Sequence, residues 1–79
     1  MLLKIKIGKG NYALRTYDKN GIEIFYTSSR LGGFDYSDDE LICNVPDGSV
    51  KYELKELNSL KIIQEGEIKK IKGDKNVSN

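Results

Sequence analysis

The sequence contains no histidine and only one cysteine, and these two shortages narrow the chemistry open to it. Without histidine, Ser–His and Cys–His nucleophile pairs and histidine-containing metal sites are excluded. One cysteine forms no disulfide within the chain, so we expect a reducing, cytoplasmic environment. We predict a protein that is not an enzyme and that uses neither a metal nor another cofactor.

Long apolar segments are also lacking. No run approaches the roughly 18 residues of a membrane-spanning helix, so we expect no membrane among its partners. The first residues alternate apolar side chains with Lys4 and Lys6, which is typical of a half-buried strand and not of an export signal. Since 79 residues leave room for one core, we predict a single domain over 1–72 and a flexible polar tail over 73–79.

A first turn sequence, Asp18-Lys19-Asn20-Gly21, separates apolar runs at 12–18 and 22–28. It predicts a β-hairpin with a three-residue loop that ends on a left-handed Gly21. Arg15 would then lie across from Phe25 as a cation–π pair. With this loop length the residues predicted to share the inward face are Tyr12, Leu14, Thr16, Ile22, Ile24 and Tyr26.

A second turn sequence, Val45-Pro46-Asp47-Gly48-Ser49, separates the runs 41–45 and 50–54. A hairpin with an even loop, either Asp47-Gly48 or 46–49, places all the apolar residues on one face. The residues predicted to face inward are Leu41, Cys43, Val45, Val50, Tyr52 and Leu54. Cys43 is therefore predicted to be a small buried hydrophobic residue rather than a nucleophile.

These turns predict an all-β fold of five to six short antiparallel strands, arranged as a small open barrel or a two-layer β-roll, with the first strand a candidate partner of the last. For the region after 53 we favour strands at 60–65 and 67–72 with a kink at Gly66, because Ile62, Ile63 and Ile68 are β-branched. A short helix within 53–64 is the alternative, because its leucines are roughly helically spaced.

The longest irregular stretch, 28–40, is where we expect function. It combines one arginine and two aromatic residues, types favoured as interface anchors, with four acids that would match a basic partner surface. We predict a small binding protein, an inhibitor or adaptor of the kind that phages and mobile elements direct at host machinery. In the alternative interpretation, Phe34 and Tyr36 cover the core as a lid and the acids are merely solvated. The predicted protein-binding residues are Arg30, Phe34, Asp35, Tyr36, Asp38, Asp39 and Glu40.

Other binding classes remain open. A small phosphorylated ligand or nucleotide would be held by backbone N–H groups and a guanidinium, from Ser28, Ser29, Arg30, Gly32 and Gly33. That loop lacks the lysine and helix of a P-loop. The four acids of 35–40 are a weaker candidate for Ca²⁺, since their spacing is unlike an EF-hand. A second copy of the chain is a further candidate partner, because both faces of the first hairpin carry apolar residues.

Nucleic-acid binding through strand lysines is the remaining alternative, in which aromatic residues would stack on bases. The net charge of +1 does not favour it. The residues that would carry it, if the first and last strands pair, are Lys4, Lys6, Lys9, Lys69, Lys70 and Lys72.

Overall fold

Two antiparallel sheets account for most of residues 1–68, which are the residues that the computed structural model describes. The first sheet has the strand order β1-β5-β4 and the second has the order β3-β2-β6-β7. A 3₁₀ turn at Ser29–Leu31 connects β3 to β4. The strands are β1 (Leu2–Lys6), β2 (Tyr12–Tyr17), β3 (Glu23–Ser28), β4 (Asp35–Ser37), β5 (Glu40–Asn44), β6 (Lys51–Glu56) and β7 (Lys61–Glu67).

The all-β prediction is therefore confirmed, with seven strands in two layers. No closed barrel forms among residues 1–68, and β1 pairs with β5 rather than with the last described strand. The predicted tail at 73–79 and the end of the predicted strand 67–72 lie outside the described residues. The alternative of a helix within 53–64 is wrong, because β6, a turn at 57–60 and β7 occupy that region.

The predicted kink at Gly66 is absent, because β7 continues through it to Glu67. The ring of Tyr52 on the neighbouring strand lies against this glycine, where an added Cβ would be 3.2 Å from the ring. The tyrosine hydroxyl donates to Oε1 of Gln64, 3.1 Å away. A glycine in a strand often marks such a close approach.

The first hairpin has the predicted three-residue loop. Gly21 has φ +81°, and its N–H donates to the carbonyl of Asp18 at 2.9 Å. The Asp18 carboxylate also accepts the N–H groups of Asn20 and Ile22, at 2.9 and 3.0 Å. The turn chemistry of the sequence is thus confirmed.

The predicted inward face of β3 is wrong, because a β-bulge follows the turn. Tyr17 is opposite Glu23, whereas Thr16 is opposite Phe25, which leaves Ile24 as the extra residue. Beyond a bulge every side chain changes face. Ile24 and Tyr26 are consequently exposed, and the guanidinium of Arg15 lies 4.8 Å from the ring centroid of Tyr26 instead of contacting Phe25.

The second predicted hairpin does not form. Residues 41–44 belong to the first sheet, where they pair with β1 and β4, and β6 belongs to the second. The turn over 46–49 is present, with the N–H of Ser49 donating to the carbonyl of Pro46 at 3.0 Å, but it carries the chain from one sheet to the other. A turn sequence shows where the chain changes direction, but it does not show whether the strands on its two sides pair with each other.

The core lies between the two sheets. The first sheet contributes Leu3, Ile5, Leu41 and Cys43, and the second contributes Tyr12, Leu14 and Leu54. Residues 41, 43, 45 and 54 are buried, as predicted. They are buried because the two sheets face each other, and not because 41–45 and 50–54 pair as a hairpin. Val50 is 40% exposed, contrary to the prediction.

A buried hydroxyl pair fastens the crossover at 45–50 to the second sheet. The Oγ1 of Thr16 and the Oγ of Ser49 are 2.8 Å apart, and both residues are buried. Next to them, the N–H of Val50 donates to the carbonyl of Tyr17 at 2.8 Å. One hydrogen bond, donated by either hydroxyl, therefore gives both of these buried groups a partner.

We expect Thr16→Val to destabilise the fold by about 1–3 kcal/mol, because it leaves the Ser49 hydroxyl buried without this partner. Ser49→Ala should have a similar effect, and the double variant should cost less than the sum of the two. Urea unfolding of the wild type and the three variants measures this coupling. Strictly additive losses would show that the two hydroxyls do not depend on each other.

Candidate functional site

The stretch 28–40 contains more regular secondary structure than the sequence predicts. The 3₁₀ turn ends on Gly32, which has φ +72°, and β4 and β5 form a hairpin whose central turn residues are Asp38 and Asp39. Gly33 crosses directly above the side chain of Thr27, so closely that a Cβ there would collide with it. The long free loop expected from the sequence is therefore a short turn, an edge strand and a tight hairpin.

The two aromatic residues of this stretch face the core. Tyr36 is opposite Leu41 in the sheet, and both Phe34 and Tyr36 are half-buried against the core cluster. The alternative in which they cover the core is confirmed for these side chains. The hydroxyl oxygen of Tyr36 is enclosed, and it has no hydrogen-bond partner among residues 1–68.

The acids at 35 and 40 share a face with the lysines of β1. Asp35 and Lys4 lie on either side of Ile42 in one row of the first sheet, and Lys6 is directly opposite Glu40 in the next. The sequence suggested one basic and one acidic surface. The strand order β1-β5-β4 merges them, so two positive and two negative charges offset each other on the outer face.

The other two acids are turn residues. Asp38 and Asp39 have φ of 52° and 61°, the positive values that a two-residue type I′ turn requires at both central positions. Both are exposed, and neither forms an ion pair within the described residues. The four acids are therefore divided between the outer face of the first sheet and the hairpin turn, and no cluster of three metal-binding side chains forms in residues 1–68. The Ca²⁺ alternative is not supported.

The predicted phosphate-binding groups are engaged in holding the local structure. The N–H groups of Gly32 and Gly33 donate to the carbonyls of Ser29 and Ser28, at 3.2 and 3.4 Å. The Oγ of Ser29 accepts the N–H of Tyr12 at 2.9 Å and donates to the carbonyl of Gly10 at 3.1 Å. Ser28 is buried, whereas Arg30, Gly32 and Gly33 are exposed. The two glycine N–H groups and the Ser29 hydroxyl are therefore already bonded and are not free donors for a phosphate.

The predicted nucleic-acid surface is divided. Lys4 and Lys6 lie on the mixed-charge face described above, and Lys9 lies in the connection between β1 and β2. Lys69, Lys70 and Lys72 lie outside the described residues. The pairing of the first and last strands on which this prediction depended is not observed within 1–68.

A groove of about 350 Å³ opens where two connections cross between the sheets at one end of the molecule. One connection is 7–11, from β1 to β2, and the other runs from the 3₁₀ turn to β4. The groove is lined by Lys9, Gly10, Ser29, Phe34 and Tyr36. It thus brings together two predicted interface anchors, one residue of the predicted phosphate loop, the predicted nucleic-acid-binding residue Lys9, and Gly10, for which the sequence predicted no role.

Gly10 is required for this geometry. A Cβ at Gly10 would lie 2.6 Å from Cζ of Tyr12, whose hydroxyl donates to the carbonyl of Gly8 at 2.9 Å. Burial raises the pKa of Tyr12, and the neighbouring Tyr36 and Glu56 raise it further. The connection therefore closes tightly over one tyrosine and ends beside the other. Of this wall only Lys9 was predicted to bind anything, and the glycines at 8 and 10 are the other signal that the sequence gives for it.

The single cysteine is not part of the groove. Cys43 is buried on the inward face of β5, and burial, followed by the carboxylate of Asp35, raises the pKa of its thiol. Such a thiol is weakly ionised near neutral pH, which is the opposite of what a nucleophile needs.

Comparisons of the chain with protein-family models, with curated proteins and with solved structures find no match. Among the described residues no helix is long and apolar enough to cross a membrane.

We expect iodoacetamide to alkylate Cys43 at pH 8 at least about tenfold more slowly in the native protein than in urea, because the thiol is buried and its pKa is raised. Since the shift is upward, the native rate should keep increasing at a pH where the unfolded thiol is already ionised. Mass spectrometry over a pH series measures both rates. Equal native and unfolded rates would contradict this account.

Replacing Asp38-Asp39 by Asn-Gly should raise the stability by about 1 kcal/mol, because this dipeptide is the preferred type I′ turn and glycine adopts positive φ without strain. Thermal unfolding should show an increase of several degrees. Asp35→Asn, which removes a charge from the neighbouring strand at ordinary dihedral angles, is the control. If Asn-Gly lowers the melting temperature, the two aspartates contribute something other than turn geometry.

Proposed function

We propose that this chain is a small non-catalytic binding domain, an inhibitor or adaptor, that engages another protein through the segment 28–40. The observation that carries the proposal is the position of the 3₁₀ turn. It presents Arg30 and Leu31 to solvent beside a groove lined by Phe34 and Tyr36. Leu31 is 68% exposed, among the most exposed large apolar side chains of the described residues.

This combination has the composition of an interface centre. Arginine and aromatic residues are enriched where protein partners bury each other's surface, and a concave patch gives a partner side chain somewhere to insert. The turn is anchored from below by the Ser29 hydroxyl, which bonds to the Tyr12 amide and to the Gly10 carbonyl. A surface that is held before binding loses less conformational entropy on association.

The charges around this surface favour a basic partner, but fewer acidic residues contribute to this preference than the sequence predicts. Asp35 and Glu40 share their face with Lys4 and Lys6, so their field is largely offset. Asp38 and Asp39 project from the hairpin turn without ion pairs among residues 1–68. These two carboxylates are therefore the groups that we expect to meet lysines or arginines of the partner.

A non-catalytic role is supported by the chemistry that remains in the chain. It has no histidine, its thiol is buried, and its described carboxylates form no cluster. Binding of nucleic acid or of a phosphorylated ligand has no comparable support, since Lys4 and Lys6 lie beside acids and the N–H groups of Gly32 and Gly33 are engaged.

The test compares two leucines of matched exposure. Leu31, at 68%, lies on the proposed surface, whereas Leu60, at 69%, lies in the turn between β6 and β7. Asparagine is close in size to leucine and removes its apolar surface. We expect Leu31→Asn to reduce capture of a specific host protein by the immobilised chain about tenfold or more, which is the usual effect of removing an interface anchor. Leu60→Asn should leave capture unchanged.

Quantitative mass spectrometry of the captured proteins provides the measurement. Phe34 and Tyr36 are unsuitable for alanine substitution here, since both pack on the core and their truncation would change stability as well as binding. A protein retained equally by the wild type and by both variants, or lost with Leu60→Asn alone, would refute the proposed surface.

A further inference from the structure

The loop of the first hairpin holds the only Asn-Gly dipeptide of the sequence, at Asn20 and Gly21. Both residues are exposed, and an atom added at the Cβ position of Gly21 would meet nothing within 4 Å. Because glycine has no Cβ, no side chain separates its backbone nitrogen from the side-chain amide of the residue before it. Asparagine is among the thermolabile residues of proteins. This loop therefore holds the two groups that react in deamidation, at a position that water reaches.

The reaction joins these two groups and needs only water as a co-reactant. The backbone nitrogen of Gly21 gives up its proton and bonds to Cγ of Asn20. The bond from Cγ to the side-chain nitrogen breaks, the proton passes to that nitrogen, and ammonia leaves a five-membered succinimide. Water then opens the ring at either carbonyl group. One opening gives aspartate at position 20, and the other gives isoaspartate, in which the backbone runs through the side-chain carbons. Nothing is oxidised or reduced.

The folded turn opposes the first step of this reaction. The N–H of Gly21 donates to the carbonyl of Asp18 at 2.9 Å, so the nitrogen that must react is already bonded. The carboxylate of Asp18 accepts the N–H groups on both sides, from Asn20 at 2.9 Å and from Ile22 at 3.0 Å. Three successive amides thus donate to one residue, in the manner of an Asx-turn. An amide held in this way reacts in proportion to the fraction of molecules in which its hydrogen bond is open.

We propose that Asn20 is a site of spontaneous deamidation that Asp18 protects in the folded chain and that reacts when the turn opens. Either product places a second carboxylate close to that of Asp18, and like charges at this distance repel. Isoaspartate also adds one atom to the backbone of a three-residue loop. The modification therefore records past opening of the hairpin in a form that refolding does not reverse. It needs no partner and is independent of the proposed binding function.

Hydroxylamine provides the first test, because it attacks the succinimide and cleaves the chain between Asn20 and Gly21. The full-length protein is treated in buffer and in guanidinium chloride, and the fragments 1–20 and 21–79 are followed by mass spectrometry. We expect cleavage to be at least about tenfold faster in guanidinium chloride, where the turn is lost. Without hydroxylamine, the peptide that contains position 20 should gain the mass of an amide-to-acid exchange in the same order of rates.

Three variants separate opening of the turn from unfolding of the domain. Asp18→Ala removes both carboxylate bonds and should increase the native cleavage rate about tenfold. Asp18→Asn keeps a side-chain oxygen at the same place and should react as slowly as the wild type. Ser49→Ala weakens the fold through its bond to Thr16, away from this turn, and should change the native rate less than about twofold. In guanidinium chloride all four chains should be cleaved at the same rate.

Hydrogen exchange at the Gly21 amide supplies a measurement that needs no variant. Its protection factor should match the ratio of unfolded to native cleavage rates to within about fivefold, because both reactions require the same bond to open. Slow native cleavage at an unprotected amide would overturn the proposal.

Equal cleavage rates in buffer and in guanidinium chloride would also overturn it, as would the absence of cleavage at this bond in guanidinium chloride. If Ser49→Ala accelerates native cleavage as much as Asp18→Ala does, global unfolding controls the site and protection by Asp18 is refuted.

Discussion

The structure depends on the contact between the inner faces of its two sheets. Leu14 and Leu54 from the four-stranded sheet meet Ile5 and Leu41 from the three-stranded one, in a core built mainly of aliphatic side chains. Neither sheet has a second apolar layer of its own, so each buries its inward residues only against the other. Because the sheets must face each other, the chain crosses between them by way of 7–11, 29–34 and 45–50. The groove lies between the first two of these crossings.

The edges of both sheets carry features that discourage further strand pairing. β4 is three residues long, and β1 presents Lys4 and Lys6. Both edge strands of the larger sheet contain a bulge, at Ile24 in β3 and at Ile63 in β7. Short strands, lysines and bulges are the usual protections of exposed edges.

The local sequence predicted the strands and turns better than it predicted which strands pair. The turn at Asp18–Gly21 and the inward positions of Leu41, Cys43 and Leu54 followed from turn residues and alternation. The inward face of β3 was not predicted correctly, because no residue type in the sequence marks the bulge at Ile24. Pairing of 41–45 with 50–54 was wrong because alternation is the same whether two strands are neighbours or face each other across a core. Of the groove, Phe34, Tyr36 and Ser29 lay in a stretch that composition singled out, whereas Lys9 came from the opposite side of a crossing.

The sequence by itself determined the strand periodicity, the turn at Gly21 and the absence of histidine chemistry, since each of these rests on neighbouring residues or on composition. Only the tertiary structure decided that Lys4 and Lys6 share a face with Asp35 and Glu40, because strand order is set by packing over long separations. The tertiary structure also decided which residues line the groove. Lys9 and Tyr36 are distant in sequence, and the closure of two connections over the core brings them to one site.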